Sequence, residues 1–159
     1  MVQLTLLTVG GLREDYFAQA SAEYEKRLGA YARVETVSLR EEPIPDEDNP
    51  AAVAAALRAE GERILARIPS GAYTVALCVE GEMPDSPALA RQLDTALART
   101  GKLCLIIGSS HGLDPAVKRR ADYRLSLSRL TFPHRLARVV LLEAVYRAFT
   151  ILHGKRYHK

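Results

Sequence analysis

The segment Leu103–Gly112, LCLIIGSSHG, decides the fold of this 159-residue chain. Its apolar half, LCLII, is typical of a strand that is buried on both faces of a parallel sheet. A second apolar run spans Tyr73–Val79, and the amphipathic pattern of Ser86–Arg99 between the two runs predicts a helix. Two buried strands joined by a helix form a βαβ unit, so we expect them to lie parallel in one sheet.

Strands and helices also alternate on either side of this unit. Further strands are predicted at Val2–Val9, Val34–Leu39 and Tyr123–Leu127. An acidic, proline-bearing loop ends at Asn49-Pro50, a favourable cap and first residue for a helix. Helices are predicted at Asp15–Leu28, Asn49–Ile68, Pro115–Arg120 and His134–Leu152. We therefore predict a single α/β domain over residues 1–159, with a mostly parallel sheet and helices on both faces.

The composition is that of a compact globular protein, with 48% apolar and 26% charged residues. No apolar run reaches the roughly 20 residues that cross a bilayer. The opening Met1–Gly10 lacks the basic region of a signal peptide, so we expect a soluble, cytoplasmic protein with no membrane partner. Cys78 and Cys104 lie in separate apolar runs without metal or redox spacing, which predicts buried free thiols.

Positive charge is concentrated at the carboxy terminus. Residues 118–159 contain 11 Lys and Arg against 2 Asp and Glu, a net charge of +9, while residues 1–117 contain 11 against 17, a net charge of −6. This asymmetry indicates a polyanionic partner, and its alternative is a solvated basic helix face.

The last predicted helix carries apolar residues around most of its circumference, including the runs VVLL at 139–142 and AVY at 144–146. One sheet face cannot cover them all. A symmetric partner subunit is the simplest cover and predicts a homodimer, while a deeply buried helix in a monomer is the alternative.

Two loops are the candidate ligand sites, because ligands of open parallel sheets bind outside the carboxyl ends of the strands. In the first, Gly108 directly follows a strand, which either lets a ligand approach the backbone or only serves the turn. The second loop, Ser126–His134, contains hydroxyls, an arginine and a histidine before a helix, where His134 either acts on a ligand or simply caps that helix.

Standard nucleotide-binding fingerprints are missing from the chain. The Gly10-Gly11-Leu12-Arg13 stretch breaks the GxGxxG pattern, and GxxxxGK[ST] does not occur. The four histidines lack the paired spacing of a metal site. Dinucleotide dehydrogenases, P-loop ATPases and metal chemistry are therefore disfavoured.

The chain resembles the RlmH family of SPOUT-class methyltransferases along essentially its whole length, and three motifs in a fixed order carry this resemblance. The motifs are the Ile107-Gly108 turn with Gly112, the stretch LSLSRLTFPH at 125–134, and RVVLLEAVYRA at 138–148 followed by the terminal Tyr157-His158-Lys159. One departure is Ser109, because the family usually has a second glycine there. The resemblance implies a carboxy-terminal trefoil knot, an exception to the unknotted-chain rule.

The resemblance also implies the function: methylation of N3 of a pseudouridine in 23S ribosomal RNA, with S-adenosylmethionine as cofactor, no metal, and an assembled ribosome as the substrate particle. The cofactor contacts that it implies are Leu77, Gly108, Leu127, Ser128, Arg129, Leu130, Thr131 and Phe132. The candidate catalytic residues are His134, as proton acceptor or base-positioning group, and Arg138. The candidate RNA contacts are Arg138, Arg147, Tyr157 and His158, with Glu143 as an i,i+4 partner of Arg147.

Two alternatives remain open from the sequence. A non-catalytic RNA-binding or ribosome-associated module would share the basic terminus but would not need the ligand-shaped loops. Another SPOUT methyltransferase acting on transfer RNA would share both.

Overall fold

The computed structural model describes residues 1–159, in which five strands alternate with five helices. The strands are β1 Val2–Val9, β2 Ala32–Leu39, β3 Tyr73–Glu82, β4 Lys102–Ile107 and β5 Tyr123–Leu125. The helices are α1 Asp15–Leu28, α2 Pro50–Leu65, α3 Ser86–Thr100, α4 Pro115–Arg120 and α5 His134–Leu152. Every predicted element is present, and α1, α4 and α5 have the predicted bounds.

The strands form one sheet in the order β2-β1-β4-β3-β5, and all of its pairs are parallel. The apolar strands β1 and β4 are adjacent in the middle of the sheet, with Leu4 opposite Leu103 and Leu6 opposite Leu105. A central position buries both faces of a strand, which explains why these runs are continuously apolar. The predicted parallel sheet is confirmed. The knot stays a prediction, since strand order does not define how the chain is threaded.

Alternate side chains of β4 enter two separate apolar cores. Leu103, Leu105 and Ile107 belong to a cluster of 17 buried residues that includes side chains of α1, α3 and α5. Cys104 and Ile106 point the other way, into a cluster of 9 residues with Ile64 of α2 and Val117 of α4. This two-residue period puts helices on both faces of the sheet, as predicted.

Several element ends differ from the predictions. Strand β3 continues beyond Val79 to Glu82, with an irregularity in its pairing with β5 between Leu77 and Glu82. Strand β5 ends at Leu125 instead of Leu127. Helix α2 begins as predicted, where Ala51 N donates to Asn49 Oδ1 at 3.0 Å, but ends at Leu65.

Helix α5 packs between α1 and α3 in one helical layer. These two helices therefore cover part of the circumference for which the sequence predicted a partner subunit. The stripe of α5 that these helices leave uncovered, the outward stripe, consists of exposed Leu136 and half-buried Val140, Glu143 and Arg147. No helix combines the length and the apolar character that a membrane crossing needs.

Candidate active site

A cavity of about 620 Å³ opens at the carboxyl ends of β3 and β4. Its walls are the end of β3 at Leu77–Glu80, the loop Ile107–Leu113 after β4, and the loop before α5, with Lys118 of α4 and the first turn of α5. Parallel strands deliver their following loops to one edge of the sheet, so segments distant in sequence meet there.

Seven of the eight predicted cofactor contacts line this cavity. They are Leu77, Gly108, Leu127, Ser128, Leu130, Thr131 and Phe132. Arg129 does not line it, and its side chain is exposed to solvent. The two loops that the sequence singled out are thus brought together around one space, and Arg129 is not part of its lining.

Gly108 serves the loop's own geometry in addition to lining the cavity. A Cβ atom at this position would lie 2.2 Å from the carbonyl oxygen of Gly112, a distance that no real Cβ contact tolerates. The close approach is held by the backbone, because Gly112 N donates to Ser109 O at 2.9 Å and Gly112 has a φ of +91°. Of the two interpretations that the sequence left open for Gly108, service to the turn therefore has direct structural support, because here the glycine lets the chain approach itself.

Ser109, the departure from the family pattern, is tied to a buried carboxylate. Its Oγ donates to Glu60 Oε1 at 2.9 Å, and the backbone N–H of Glu42 donates to Glu60 Oε2, also at 2.9 Å. Glu60 is only 3% exposed, so both of its oxygens need these donors. Sequence reasoning missed Glu60, since a glutamate in the middle of a helix usually faces solvent.

A second close approach holds β3 against the loop before α5. A Cβ at Gly81 would lie 2.7 Å from the carbonyl carbon of Leu125. Ser126 N donates to Glu82 O at 2.8 Å, and Leu130 N donates to Ser128 Oγ at 3.0 Å. The hydroxyl of Ser128 is therefore engaged within its own loop. Gly81 was also missed, because the predicted strand ended at Val79 and a glycine signals close backbone approach only when it lies inside a strand.

His134 lies at the first residue of α5 and lines the cavity. Its Nε2 is buried and has no hydrogen-bond partner. Burial, reinforced by the neighbouring Arg135, lowers the pKa of His134 below its ordinary value, while Glu41 and Glu14 act in the opposite direction. A neutral imidazole with one unoccupied nitrogen has the capacity to accept or donate one further hydrogen bond.

Arg138 is largely buried in the single chain. The residue is 8% exposed, its Nη2 lies 3.3 Å from Glu25 Oε1, and its Nε is buried without a partner. It borders a small recess next to His134 and Gly108 rather than the main cavity. Burial and the pairing with Glu25 leave the guanidinium little exposed surface in the single chain, and the predicted RNA contact at Arg138 stays a prediction.

The other predicted RNA contacts form one cluster at the far end of α5, the tail cluster of Glu143, Tyr146, Arg147, Tyr157 and His158. Arg147 Nε donates to Glu143 Oε1 at 3.1 Å, which confirms the predicted i,i+4 pair. The Arg147 guanidinium lies 4.7 Å from the centre of the Tyr157 ring, and its Nη1 is 3.4 Å from His158 Nδ1. Burial, as the largest of several contributions, raises the pKa of Tyr157 to about 12.

The tail cluster is remote from the cavity of its own chain. His134 and Arg147 are separated along α5 by about 20 Å, from the rise of 1.5 Å per helical residue. Tyr157 OH donates to Glu143 Oε1 at 3.2 Å, which folds the terminus back against the helix.

The two thiols have different surroundings. Cys104 is buried in the core, as predicted, and burial raises its pKa to about 12. Cys78 is only half-buried and lines the cavity, so its predicted burial is wrong. No group of three or more His, Cys, Asp or Glu side chains is arranged to hold a metal ion.

Comparison with known proteins gives one consistent result. The sequence model of the family described as "Predicted SPOUT methyltransferase" matches residues 2–158. The chain is 46% identical over 160 residues to the ribosomal RNA large subunit methyltransferase H of Bacillus pumilus (strain SAFR-032), covering 99% of this chain and 100% of that protein. It is 47% identical over 160 residues to the protein of that name from Moorella thermoacetica, with both chains covered completely. The protein of that name from Bifidobacterium adolescentis is 45% identical over 159 residues, with coverage of 99% and 100%.

Proposed function

The chain belongs to the SPOUT methyltransferase family, and we propose on this basis that it methylates N3 of a pseudouridine in 23S ribosomal RNA with S-adenosylmethionine as the methyl donor. The observation that carries the proposal is the convergence of Leu77, Gly108 and the loop before α5 around a single cavity. The relatives' names specify large-subunit ribosomal RNA, and the modified base comes from the resemblance of the motifs.

The cavity fits the proposed cofactor in size and in chemistry. Its volume of about 620 Å³ lies within the range of small-molecule sites. Leu77, Leu127 and Phe132 offer apolar surface of the kind that an adenine ring needs, and Thr131 offers an exposed hydroxyl. The loop after β4, residues Ile107–Leu113, adds backbone groups to the lining of the cavity.

In the proposed mechanism the protein mainly aligns two groups and removes a proton. When bound, S-adenosylmethionine supplies a methyl group that is activated by its sulfonium. The cavity walls exclude water and hold the target base against the cofactor site, a positioning role that can supply much of the rate. His134 lines the cavity and accepts the proton of the base nitrogen or positions the base, since its lowered pKa keeps the ring neutral near neutral pH.

The RNA contacts that we propose are Arg129, Arg147, Tyr157 and His158. Arg129 is exposed beside the cavity, on the chain's basic carboxy-terminal part. Arg147, Tyr157 and His158 belong to the tail cluster and carry cationic and aromatic groups suited to phosphate and base contacts. Arg138 is left out of this set because it is buried in the single chain.

A homodimer brings these parts together in our proposal. The outward stripe of α5 contains Leu136 and Val140 in the half that begins at the cavity, and Arg147 of the tail cluster in the other half. If two copies pack these stripes antiparallel around a twofold axis, the tail cluster of one copy lies beside the cavity of the other. Each site then combines cofactor loops from one subunit with a tail from its partner. The enzyme acts in the cytoplasm, where ribosomes are found.

Two experiments test the proposed function. Calorimetric titration with S-adenosylmethionine separates a methyltransferase from a non-catalytic RNA-binding module, because only the former binds the cofactor. Mass mapping of modified nucleosides in a deletion strain then identifies the substrate. Loss of a methylated pseudouridine in 23S RNA supports the proposal, whereas loss of a methylated nucleoside in transfer RNA supports the rival assignment.

A further inference from the structure

Glu80 and Lys118 form an ion pair on the wall of the cavity, and sequence reasoning singled out neither residue. Lys118 Nζ donates to Glu80 Oε1, joining the end of β3 to α4. The side chain of Glu80 is 47% exposed and that of Lys118 is 24% exposed, so both remain accessible to a ligand. Lys118 lowers the pKa of Glu80, which is therefore ionised near neutral pH.

This pair is the only strong charge on the cavity wall. Among the residues that line the cavity, Lys118 is the only Lys or Arg and Glu80 is the only Asp or Glu. The remaining lining side chains are apolar, hydroxyl, thiol or imidazole groups. A ligand that enters the cavity with one negative and one positive group thus has a single place where both are matched by adjacent opposite charges.

We propose that Lys118 and Glu80 bind the amino-acid end of the ligand, with the ammonium of Lys118 facing an α-carboxylate and the carboxylate of Glu80 facing an α-ammonium. The inference rests on the proposed function, because S-adenosylmethionine carries such a zwitterionic end. The ion pair does not have to break: a lysine has three donors and a carboxylate has about four acceptor sites. Both partners keep their mutual bond and still bind the ligand.

The alternative is that the ion pair between Glu80 and Lys118 is only structural and connects β3 to α4. Partly exposed ion pairs of this kind contribute little to stability. If the pair is only structural, substituting it should change the affinity for every ligand of the cavity equally. If it is a charged subsite, the substitution should change the affinity only for ligands with an amino-acid end.

The test compares two ligands that differ in that end alone. S-adenosylhomocysteine and methylthioadenosine are both neutral thioethers of adenosine, and only the first has the zwitterion. We expect Lys118→Met to weaken the binding of S-adenosylhomocysteine about 10- to 100-fold, which is the range for one charge-assisted hydrogen bond. The affinity for methylthioadenosine should not change. Arg119→Met is the matched control, since Arg119 is an exposed cation on the same helix that does not line the cavity.

Glu80→Gln is the second variant, which keeps the shape of the side chain and removes its charge. Selective weakening of S-adenosylhomocysteine in both variants, with Arg119→Met like wild type, supports the subsite. Equal weakening of both ligands, or no change in either, overturns it while the cavity remains a nucleoside site. If the wild-type protein binds neither nucleoside, the proposed function fails and the subsite fails with it. Calorimetry provides all of these affinities without an activity assay.

Discussion

The backbone of Gly108 meets the carbonyl oxygen of Gly112 so closely that a Cβ at residue 108 would lie 2.2 Å from that oxygen. The contact closes the loop that forms one wall of the cavity, where Gly112 N donates back to Ser109 O. The shape of this cavity wall therefore depends on a residue without a Cβ atom at position 108.

We expect Gly108→Ala to lower stability and to abolish cofactor binding together. Relieving the clash requires the backbone of residues 108–112 to move, and overpacking of this kind costs about 1–3 kcal/mol or more. Thermal unfolding and calorimetry with S-adenosylmethionine measure the two effects. Gly11→Ala is the control, since a Cβ there has no heavy atom within 4 Å, and it should change stability by less than about 0.5 kcal/mol. Wild-type stability in Gly108→Ala would contradict the proposed closure of the loop.

Two arginines near the site should behave in opposite ways. Arg129→Ala should weaken binding to ribosomes and reduce its salt dependence, because it removes one exposed cation. Arg138→Met should instead destabilise the fold by about 1–3 kcal/mol, because Glu25 loses a charge-assisted hydrogen bond. Salt-titrated ribosome binding and urea unfolding of each variant distinguish the two roles. A stable Arg138→Met protein with a flattened salt dependence would support Arg138 as an RNA contact.

Stability should decrease in mild acid partly through His134. Its pKa is lowered in the folded protein, so the unfolded chain binds this proton more readily as the pH falls below about 6.5. The stability that the neutral ring contributes is complete above that pH and is lost as the pH falls toward the folded pKa. Urea midpoints measured from pH 7.5 to pH 5 should fall less steeply for His134→Gln than for wild type. Parallel profiles would show that His134 is as easily protonated in the folded state as in the unfolded one.

The tail should act across the dimer. We expect a variant without Tyr157, His158 and Lys159 to be inactive, and also Thr131→Arg, which places a long side chain at the cavity wall. When equal amounts of the two exchange subunits, half of the dimers are heterodimers with one intact site of two. Methylation should then recover to about a quarter of the wild-type level.

Exchange is verified separately with differently tagged subunits, and light scattering should return a dimer for each protein. A mixture that remains inactive despite exchange would assign the tail to its own subunit or to no catalytic role. A concentration-independent monomer would contradict the interface on α5 itself.

The local pattern of the chain was sufficient to predict each helix and strand. The apolar run in β4 indicated a strand buried on both faces, and the helical spacing of apolar residues over Asp15–Leu28 predicted α1 with its observed bounds. Such signals are local, because the period of a side-chain pattern follows from backbone geometry within a few residues. The same holds for the Asn49-Pro50 helix start and for the i,i+4 pair of Glu143 and Arg147.

Only the tertiary structure decided which of these residues share an environment. Arg129 and Arg138 are both arginines near one loop, yet Arg129 is exposed and Arg138 is buried against Glu25. Glu60 binds Ser109 across 49 residues of sequence, and Glu80 meets Lys118 across 38. These contacts depend on how α1, α2 and α4 pack on the sheet, and no local period records that packing. The sequence by itself therefore determined the elements and the loops that carry the chemistry, while burial and long-range pairing decided the role open to each side chain.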